Sequence, residues 1–367
     1  PGRPIGGNTM IRPVLAVRLD SVGDVLVCGP AIRAIADGAD VHLLCSPAGA
    51  PAGRLLPGVE RVHEWDCPWI SIPARAATAA AVAELDDIVA AVRPAEAVIL
   101  TSFHQSPLPL ALLLRLAGVP RITAASVDYA GSLLDARLRP GEDFAESQSE
   151  VARALAIAAA AGYRLPRGDD GRMGVREVVD PTPLVGRDPY VVVHPGAAVP
   201  ARTAPAALHV QIVQALSAAR LRVVVTGAPG ERGLTAKVAG EVALDLGGRT
   251  DLAELAGVLR RAEAVVVGNT GAAHLAAAVG TPIVSLFSPV VDERCWRPFG
   301  VPSVLLGRTD TACAGTRARE CPIPGHPCLA DIDPRKVVDA VLAIRRTPSR
   351  GPSARDEPAT EALGVPA

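Results

Sequence analysis

The chain has 367 residues, of which 49% are hydrophobic but only 3% aromatic, and a formal net charge of −1. That length exceeds one ordinary domain and suits two, while the near-neutral balance argues against a dedicated nucleic-acid binder, which carries a basic surplus. No apolar run reaches the roughly 18–20 residues that span a bilayer, and no basic-then-apolar leader precedes a cleavage site, so a cytoplasmic protein is expected.

Residues 1–10 read as a disordered leader. Val14–Leu19 is an apolar strand that runs into Asp20-Ser21-Val22-Gly23-Asp24, and a helix is predicted from about Val25 to Ala36 with Pro30 near its start. Val41–Cys45 and Val59–Trp65 follow as strands, then an Ala-rich helix over Ala76–Val92 closed by Pro94. Ala97–Thr101 (strand), Pro107–Ala117 (helix), Arg121–Ala125 (strand) and Glu146–Ala161 (helix) complete the first half. Residues 166–189, rich in Pro, Gly, Arg and Asp, lack either period and read as a linker.

The alternation then restarts. Strands are predicted over Tyr190–His194, Arg222–Thr226, Ala243–Leu246, Ala264–Val267, Ile283–Phe287 and Val304–Leu306. Helices are predicted over Leu208–Ala219, Glu231–Ala239, Asp251–Arg261, Ala272–Val279 and Pro334–Arg346, and residues 347–367 read as a disordered tail. Strands alternating with helices at this spacing predict doubly wound parallel sheets. The expected organisation is therefore one α/β domain over 11–165 and a second over 190–346, with ligands at the strand carboxyl ends and a cleft between the two.

Four loops of the second domain fall at such ends: His194-Pro-Gly196-Ala197 with Arg202, Thr226-Gly227 with Glu231, Gly247-Gly-Arg249, and Gly268-Asn269-Thr270-Gly271. The last joins a buried strand to a small-residue helix, the scaffold that binds phosphate on free helix-start N–H groups. His274 lies one turn after Thr270, so both side chains can face one anion. Arg202 is a candidate phosphate partner or a solvated surface residue. Glu231 is either a helix-start carboxylate favoured by the dipole or an acceptor for ribose hydroxyls. Asp24 is an N-cap or a general base facing the cleft. No GxGxxG spacing is present, which weighs against a nicotinamide enzyme. Cys313, Cys321 and Cys328 with His326 lack the paired spacing of a structural zinc site, so no metal is expected; a loop with free thiols fits better.

Together these residues resemble glycosyltransferase family 9, the heptosyltransferase family. The resemblance runs from about Val14 to Val341. It rests on Arg18-Leu-Asp-Ser-Val-Gly-Asp24 with Pro30 and Arg33, His194-Pro-Gly-Ala197, Thr226-Gly227 with Glu231, and Asn269-Thr-Gly-Ala-Ala-His274 through Gly280-Thr-Pro282. The segment Cys321-Pro-Ile-Pro-Gly-His-Pro-Cys328 also looks like a Cys-containing stretch of many members. The resemblance implies a GT-B fold: two Rossmann-like, doubly wound domains facing each other across a cleft, acceptor on the first and nucleotide-sugar donor on the second. It implies inverting, metal-independent transfer of a sugar, heptose from ADP-heptose or a relative, to a cell-envelope glycan or a small secondary metabolite. The donor is a substrate and no cofactor is implied.

By that resemblance Asp24 deprotonates the acceptor hydroxyl, Arg202, Thr270, Gly271, Ala272 and His274 stabilise the departing diphosphate, and Glu231 holds the ribose. His194, Gly196, Thr226, Gly227 and Asn269 complete the expected donor site, and Ser21, Gly23, His104 and Gln105 are candidate acceptor contacts. A monomer is expected, with no nucleic-acid partner and with peripheral membrane contact only where the acceptor is lipid-linked. Two departures stand out: Asn269 replaces an Asp that is common in members, and Thr203-Ala204-Pro205 stands where an aromatic commonly follows the basic residue. The rival readings are a nucleotide-sugar epimerase-like enzyme and a non-catalytic nucleotide-sugar-binding protein on a decayed transferase fold.

Overall fold

A computed structural model of the chain describes residues 12–346 other than Phe103 and Glu177. The leader expected over 1–10 and the tail expected over 347–367 lie outside the described residues. In chain order the first half comprises β1 (Pro13–Arg18), α1 (Val22–Leu26), α2 (Gly29–Ala36), β2 (Asp40–Cys45), α3 (Ala50–Leu55) and β3 (Val59–Glu64). It continues through α4 (Ala79–Val92), β4 (Glu96–Ile99), α5 (Leu108–Leu116), β5 (Ile122–Ala125), β6 (Ala136–Leu138), α6 (Glu150–Ala160) and α7 (Thr182–Val185). The second half comprises β7 (Val191–His194), α8 (Ala206–Ala218), β8 (Val223–Val225), α9 (Arg232–Ala239), β9 (Leu244–Asp245) and α10 (Leu252–Arg261). It ends with β10 (Val265–Gly268), α11 (Gly271–Ala278), β11 (Ile283–Leu286), α12 (Glu293–Trp296), β12 (Ser303–Leu306), α13 (Pro327–Ala330) and α14 (Pro334–Ile344).

Each half builds one six-stranded sheet, in the orders β3-β2-β1-β4-β5-β6 and β12-β11-β10-β7-β8-β9, with parallel pairing throughout. The central strands are continuous small hydrophobes such as Val191-Val-Val193 and Val265-Val-Val267, all at most 1% exposed, as strands covered on both faces require. The strand order reverses between β1 and β4 in the first sheet and between β7 and β10 in the second, which places a crevice at the carboxyl ends of those strands. One apolar core joins the halves: Val25, Ala50 and Ile157 belong to the same buried cluster as Val265, Ala272 and Leu275.

The single helix predicted over Val25–Ala36 is two. Pro30 has no N–H to donate, and the chain closes a tight turn from Cys28 N to Val25 O (3.1 Å) before α2 starts. This break leaves α1 as a five-residue helix whose N-terminus faces the crevice. The short edge strand β6 and helices α3, α7, α12 and α13 escape sequence periodicity because each is six residues or fewer. Among its described residues the run predicted as a linker carries only α7, and it is strapped to the first half. Arg33 grips Asp169 with both Nε (2.6 Å) and Nη2 (2.8 Å), and Arg176 N donates to Leu55 O at 2.7 Å.

Candidate active site

The two crevices meet. The loops after β1 and β10 approach so closely that a Cβ placed on Gly23 would lie 2.9 Å from His274 Cδ2 and 3.2 Å from the Gly271 Cα. Glycine at both positions lets the starts of α1 and α11 face one pocket. Ser21, Gly23 and Asp24 form its first wall. Ala197, Val199, Arg202, Asn269, Thr270, Gly271, His274 and Trp296 supply the second.

The second wall is a set of uncommitted polar groups. Thr270 is the N-cap residue of α11, in extended backbone, and its hydroxyl makes no capping bond to its own helix. The amides of the first turn of a helix have no intrahelical partner. Asn269 is 3% exposed and its Nδ2 has no hydrogen-bond partner. His274 is 4% exposed with Nδ1 likewise unpartnered, and Arg202 Nε is buried without a partner. Burial pushes His274 down to about 4, against the pull of Asp24, so its imidazole is neutral at pH 7. Its ring packs edge-on against Trp296, centroids 6.1 Å apart. Buried polar atoms are ordinarily satisfied, so three orphans on one wall mark a place built for a polar ligand.

The first wall presents one carboxylate. Asp24 is the third residue of α1, not its N-cap; that position is Ser21. Asp24 Oδ2 accepts from Ser21 Oγ (2.7 Å) and Ser21 N (3.2 Å), and Oδ1 accepts from Arg18 Nη2 (3.0 Å). Burial works to raise Asp24, but the Arg18 charge, the Ser21 bonds and His274 outweigh it and hold the carboxyl below its ordinary value. Oδ1 retains a second lone pair, Oδ2 has both engaged by Ser21, and the side chain is 19% exposed. The neighbouring Asp20 is raised, chiefly by burial and by the Asp24 charge against the pull of Arg18.

Five expected donor residues form a separate cluster beside the pocket and do not line it. His194 Nδ1 lies 3.0 Å from Thr226 Oγ1, and burial lowers this histidine. Glu231 Oε2 accepts from Ala228 N at 2.7 Å, which satisfies the capping reading of the sequence. The same carboxylate lies over Gly196 and Gly227: a Cβ on Gly196 would come within 2.0 Å of Glu231 Oε1, and one on Gly227 within 3.1 Å of Oε2. Ala272 sits in the first turn of α11, 7% exposed, behind the pocket surface.

Neither His104 nor Gln105 lines the pocket. Ser102 Oγ is 3.3 Å from His104 Nδ1, and Gln105 Nε2 donates to Asp20. Sequence reasoning missed Trp296, although it is one of only three tryptophans in the chain. It also missed Glu150, which the sequence reading places inside the helix predicted over Glu146–Ala161 with nothing to set it apart. Among the described residues, no three His, Cys, Asp or Glu side chains are arranged to hold a metal ion, and all seven cysteines are free thiols. Cys328 instead lies 4.0 Å from Ser288 Oγ, and Cys313 lies 3.3 Å from Thr311 Oγ1. No described helix is long and apolar enough to cross a membrane.

Solved structures share this architecture over nearly the whole chain. The glycosyl transferase family 9 protein from Veillonella parvula is 14% identical with a TM-score of 0.71, covering 91% of this chain and 97% of its own. The ADP-heptose LPS heptosyltransferase II of E. coli is 18% identical with a TM-score of 0.69, covering 90% and 98%. The E. coli heptosyltransferase WaaC, solved with ADP-2-deoxy-2-fluoro heptose, is 19% identical with a TM-score of 0.63, covering 90% and 99%. At such identities the likeness establishes the GT-B fold. No curated protein matches the sequence. The sequence profile of glycosyltransferase family 9 (heptosyltransferase) matches residues 113–326, more than half of the chain and most of the second sheet with its pocket loops. Fold and profile agree, and the chain belongs to glycosyltransferase family 9 and is a heptosyltransferase-like glycosyltransferase.

Proposed function

We propose that this protein transfers a sugar from a nucleoside-diphosphate donor of the ADP-heptose type to an acceptor hydroxyl, with inversion and without a metal ion. The observation that carries the reading is the opposition of two walls. Asn269, Thr270, His274 and Arg202, with the α11 start, line one side of the pocket, and Asp24 lines the other. One wall suits a diphosphate and the other a proton acceptor. The ADP-sugar bound to the E. coli relative supports ADP as the nucleotide.

In this reading the acceptor binds on residues 11–165, near Ser21, Gly23, His104 and Gln105, and the donor on residues 190–346, with 166–189 as the linker. The acceptor O–H gives its proton to Asp24 while its oxygen forms a bond to the anomeric carbon. The bond from that carbon to the diphosphate oxygen breaks, and the diphosphate leaves with the electron pair. A single displacement from the opposite face inverts the centre. Asp24 is a weak base, which suits a displacement in which bond breaking leads and the proton moves late. Charge developing on the diphosphate meets the Arg202 guanidinium, the Gly271 and Ala272 amides, the Thr270 hydroxyl and the neutral His274. Those groups do the electrostatic work a divalent cation does in other transferases. Glu231 accepts from the ribose hydroxyls. The acceptor class is a cell-envelope glycan or a small secondary metabolite, and the enzyme works as a cytoplasmic monomer.

Calorimetry of ADP, GDP, UDP and dTDP, with NAD as control and chelator present, tests the reading. Saturable binding of ADP is expected; binding of NAD alone, or of no diphosphate, overturns it.

A further inference from the structure

Asp24 is held from behind by a residue that its own loop does not contain. Arg18, at the end of β1, is 2% exposed. Its Nη1 donates to Leu100 O at 2.8 Å and reaches Glu150 Oε2 at 3.4 Å. Its Nε lies 2.7 Å from Asp20 Oδ2, and its Nη2 donates to Asp24 Oδ1 at 3.0 Å. One guanidinium therefore serves three carboxylates. Glu150 opens α6 with its side chain 1% exposed and its Oε1 unpartnered. A helix-start acid interacts favourably with the dipole from the surface and has no need of burial. The second cation of the cluster is Arg153, 3% exposed and stacked over Phe144 at 5.0 Å, with Nε and Nη1 unpartnered. The buried Glu150 and the partly exposed Asp20 and Asp24 thus share Arg18, with Arg153 beside Glu150, and what one carboxylate takes of Arg18 the others lose.

We propose that Glu150 is a positioning residue for the transfer: it anchors Arg18 and takes a share of its charge, so that Asp24 remains basic enough to accept the acceptor proton. This rests on Asp24 being the base. The groups facing Asp24 are Arg18 and Asp20 from β1 and its loop, Cys28 from the α1–α2 turn, Glu150 from α6, His104 from the loop after β4, and His274 and Arg202 across the cleft. Cys28 is pushed up to about 12 by burial and His274 down to about 4, so both are neutral at pH 7. Glu150 lies behind Asp24, away from the pocket wall, so its charge can be removed without touching the donor side.

Glu150→Gln keeps the shape and removes the charge, leaving more of Arg18 to Asp24. Burial raises Glu150 while the Arg18 charge holds Asp24 down, so Glu150 is already neutral where Asp24 titrates and its charge acts only at higher pH. In the parent, kcat for release of ADP from ADP-heptose should therefore rise through the titration of Glu150 by roughly 3- to 10-fold, a fraction of a general base's full contribution. In Glu150→Gln that limb should be absent and kcat should stay at the lower level. ADP affinity should not change, and Glu150→Asp should recover the limb. Arg153→Met, which removes a cation that favours the charged form of Glu150, should move the limb to higher pH. It supplies the test should Glu150→Gln fail to fold. A pH profile unchanged in either folded variant overturns the proposal. Full turnover in Asp24→Asn would instead remove the base assignment.

Discussion

Replacing Gly196 by Ala adds one methyl group where the structure has no room for it. The new Cβ would lie 2.0 Å from Glu231 Oε1, 2.2 Å from its Cδ and 2.5 Å from Oε2. Gly196 is not among the glycines with positive φ, so the cost is this collision and not backbone strain. The carboxylate must swing away and give up its bond from Ala228 N–H at 2.7 Å. A hydrogen bond to a charged group contributes about 1.5–3 kcal/mol, and re-solvation of the half-buried Glu231 returns part of it, so about 1 kcal/mol of stability should be lost. For a chain of this size that lowers Tm by about 1–2 °C. If Glu231 also accepts from the donor ribose, ADP should bind about 10- to 100-fold more weakly. Gly230, whose added Cβ would meet nothing within 4 Å, is the matched control. Calorimetric titration with ADP and a thermal melt read both effects. A fall in Tm with ADP affinity held within two-fold would remove Glu231 from the ribose site. No change in either would refute the argument from crowding itself.

Asp24→Ala should reduce turnover by about 10²- to 10⁴-fold and leave the ADP dissociation constant nearly unchanged; turnover within a few-fold of the parent contradicts the base assignment. Arg202→Ala and Asn269→Ala should each weaken ADP binding, because each removes a polar side chain that lines the pocket, and unchanged affinity in both would empty that wall of function. His209 and His274 are held down to about 4 by burial, against an ordinary value of 6.5. The unfolded chain therefore binds protons that the folded chain refuses, and stability present above pH 6.5 should fall as pH drops toward 4. Melting curves between those limits should show a shallower slope in His209→Leu than in the parent; an equal slope refutes the buried-neutral assignment. Arg18→Leu strands three carboxylates and should cost about 3–5 kcal/mol at neutral pH. The loss should shrink in acid, where protonation relieves the uncompensated charge, and a loss that grows in acid would contradict the hub description.

Much of the architecture was legible because parallel strands covered on both faces must be runs of small hydrophobes, and glycine must stand where the backbone turns at their ends. Val14–Leu19, Tyr190–His194 and Ala264–Val267 announce themselves this way, each within a residue or two of the observed strand. The helix predicted over Val25–Ala36 did not survive because apolar periodicity continues through Cys28 while the hydrogen-bond ladder cannot continue through Pro30. β6 and the shortest helices offer too few residues for a period to show.

The candidate site divides along the same line. Glycines at strand exits, the hydroxyl of Thr270 and the spacing of Thr270 and His274 are local properties, so the sequence alone determined that β10 ends in a glycine turn carrying a hydroxyl and, one helical turn on, a histidine. That Asp24 faces that turn across one pocket, with Gly23 against Gly271, is a long-range fact settled by the packing of α1 on α11. The separation of Glu231 and His194 into their own cluster, the closure of the wall by Trp296, and the burial of Glu150 against Arg18 are of the same kind. Arg18 and Glu150 are 132 residues apart, and only the folded sheet brings their charges into a shared low-dielectric interior. Residue type and local spacing specify which groups can bind a proton or an anion; how strongly each does so depends on neighbours that the chain supplies from elsewhere.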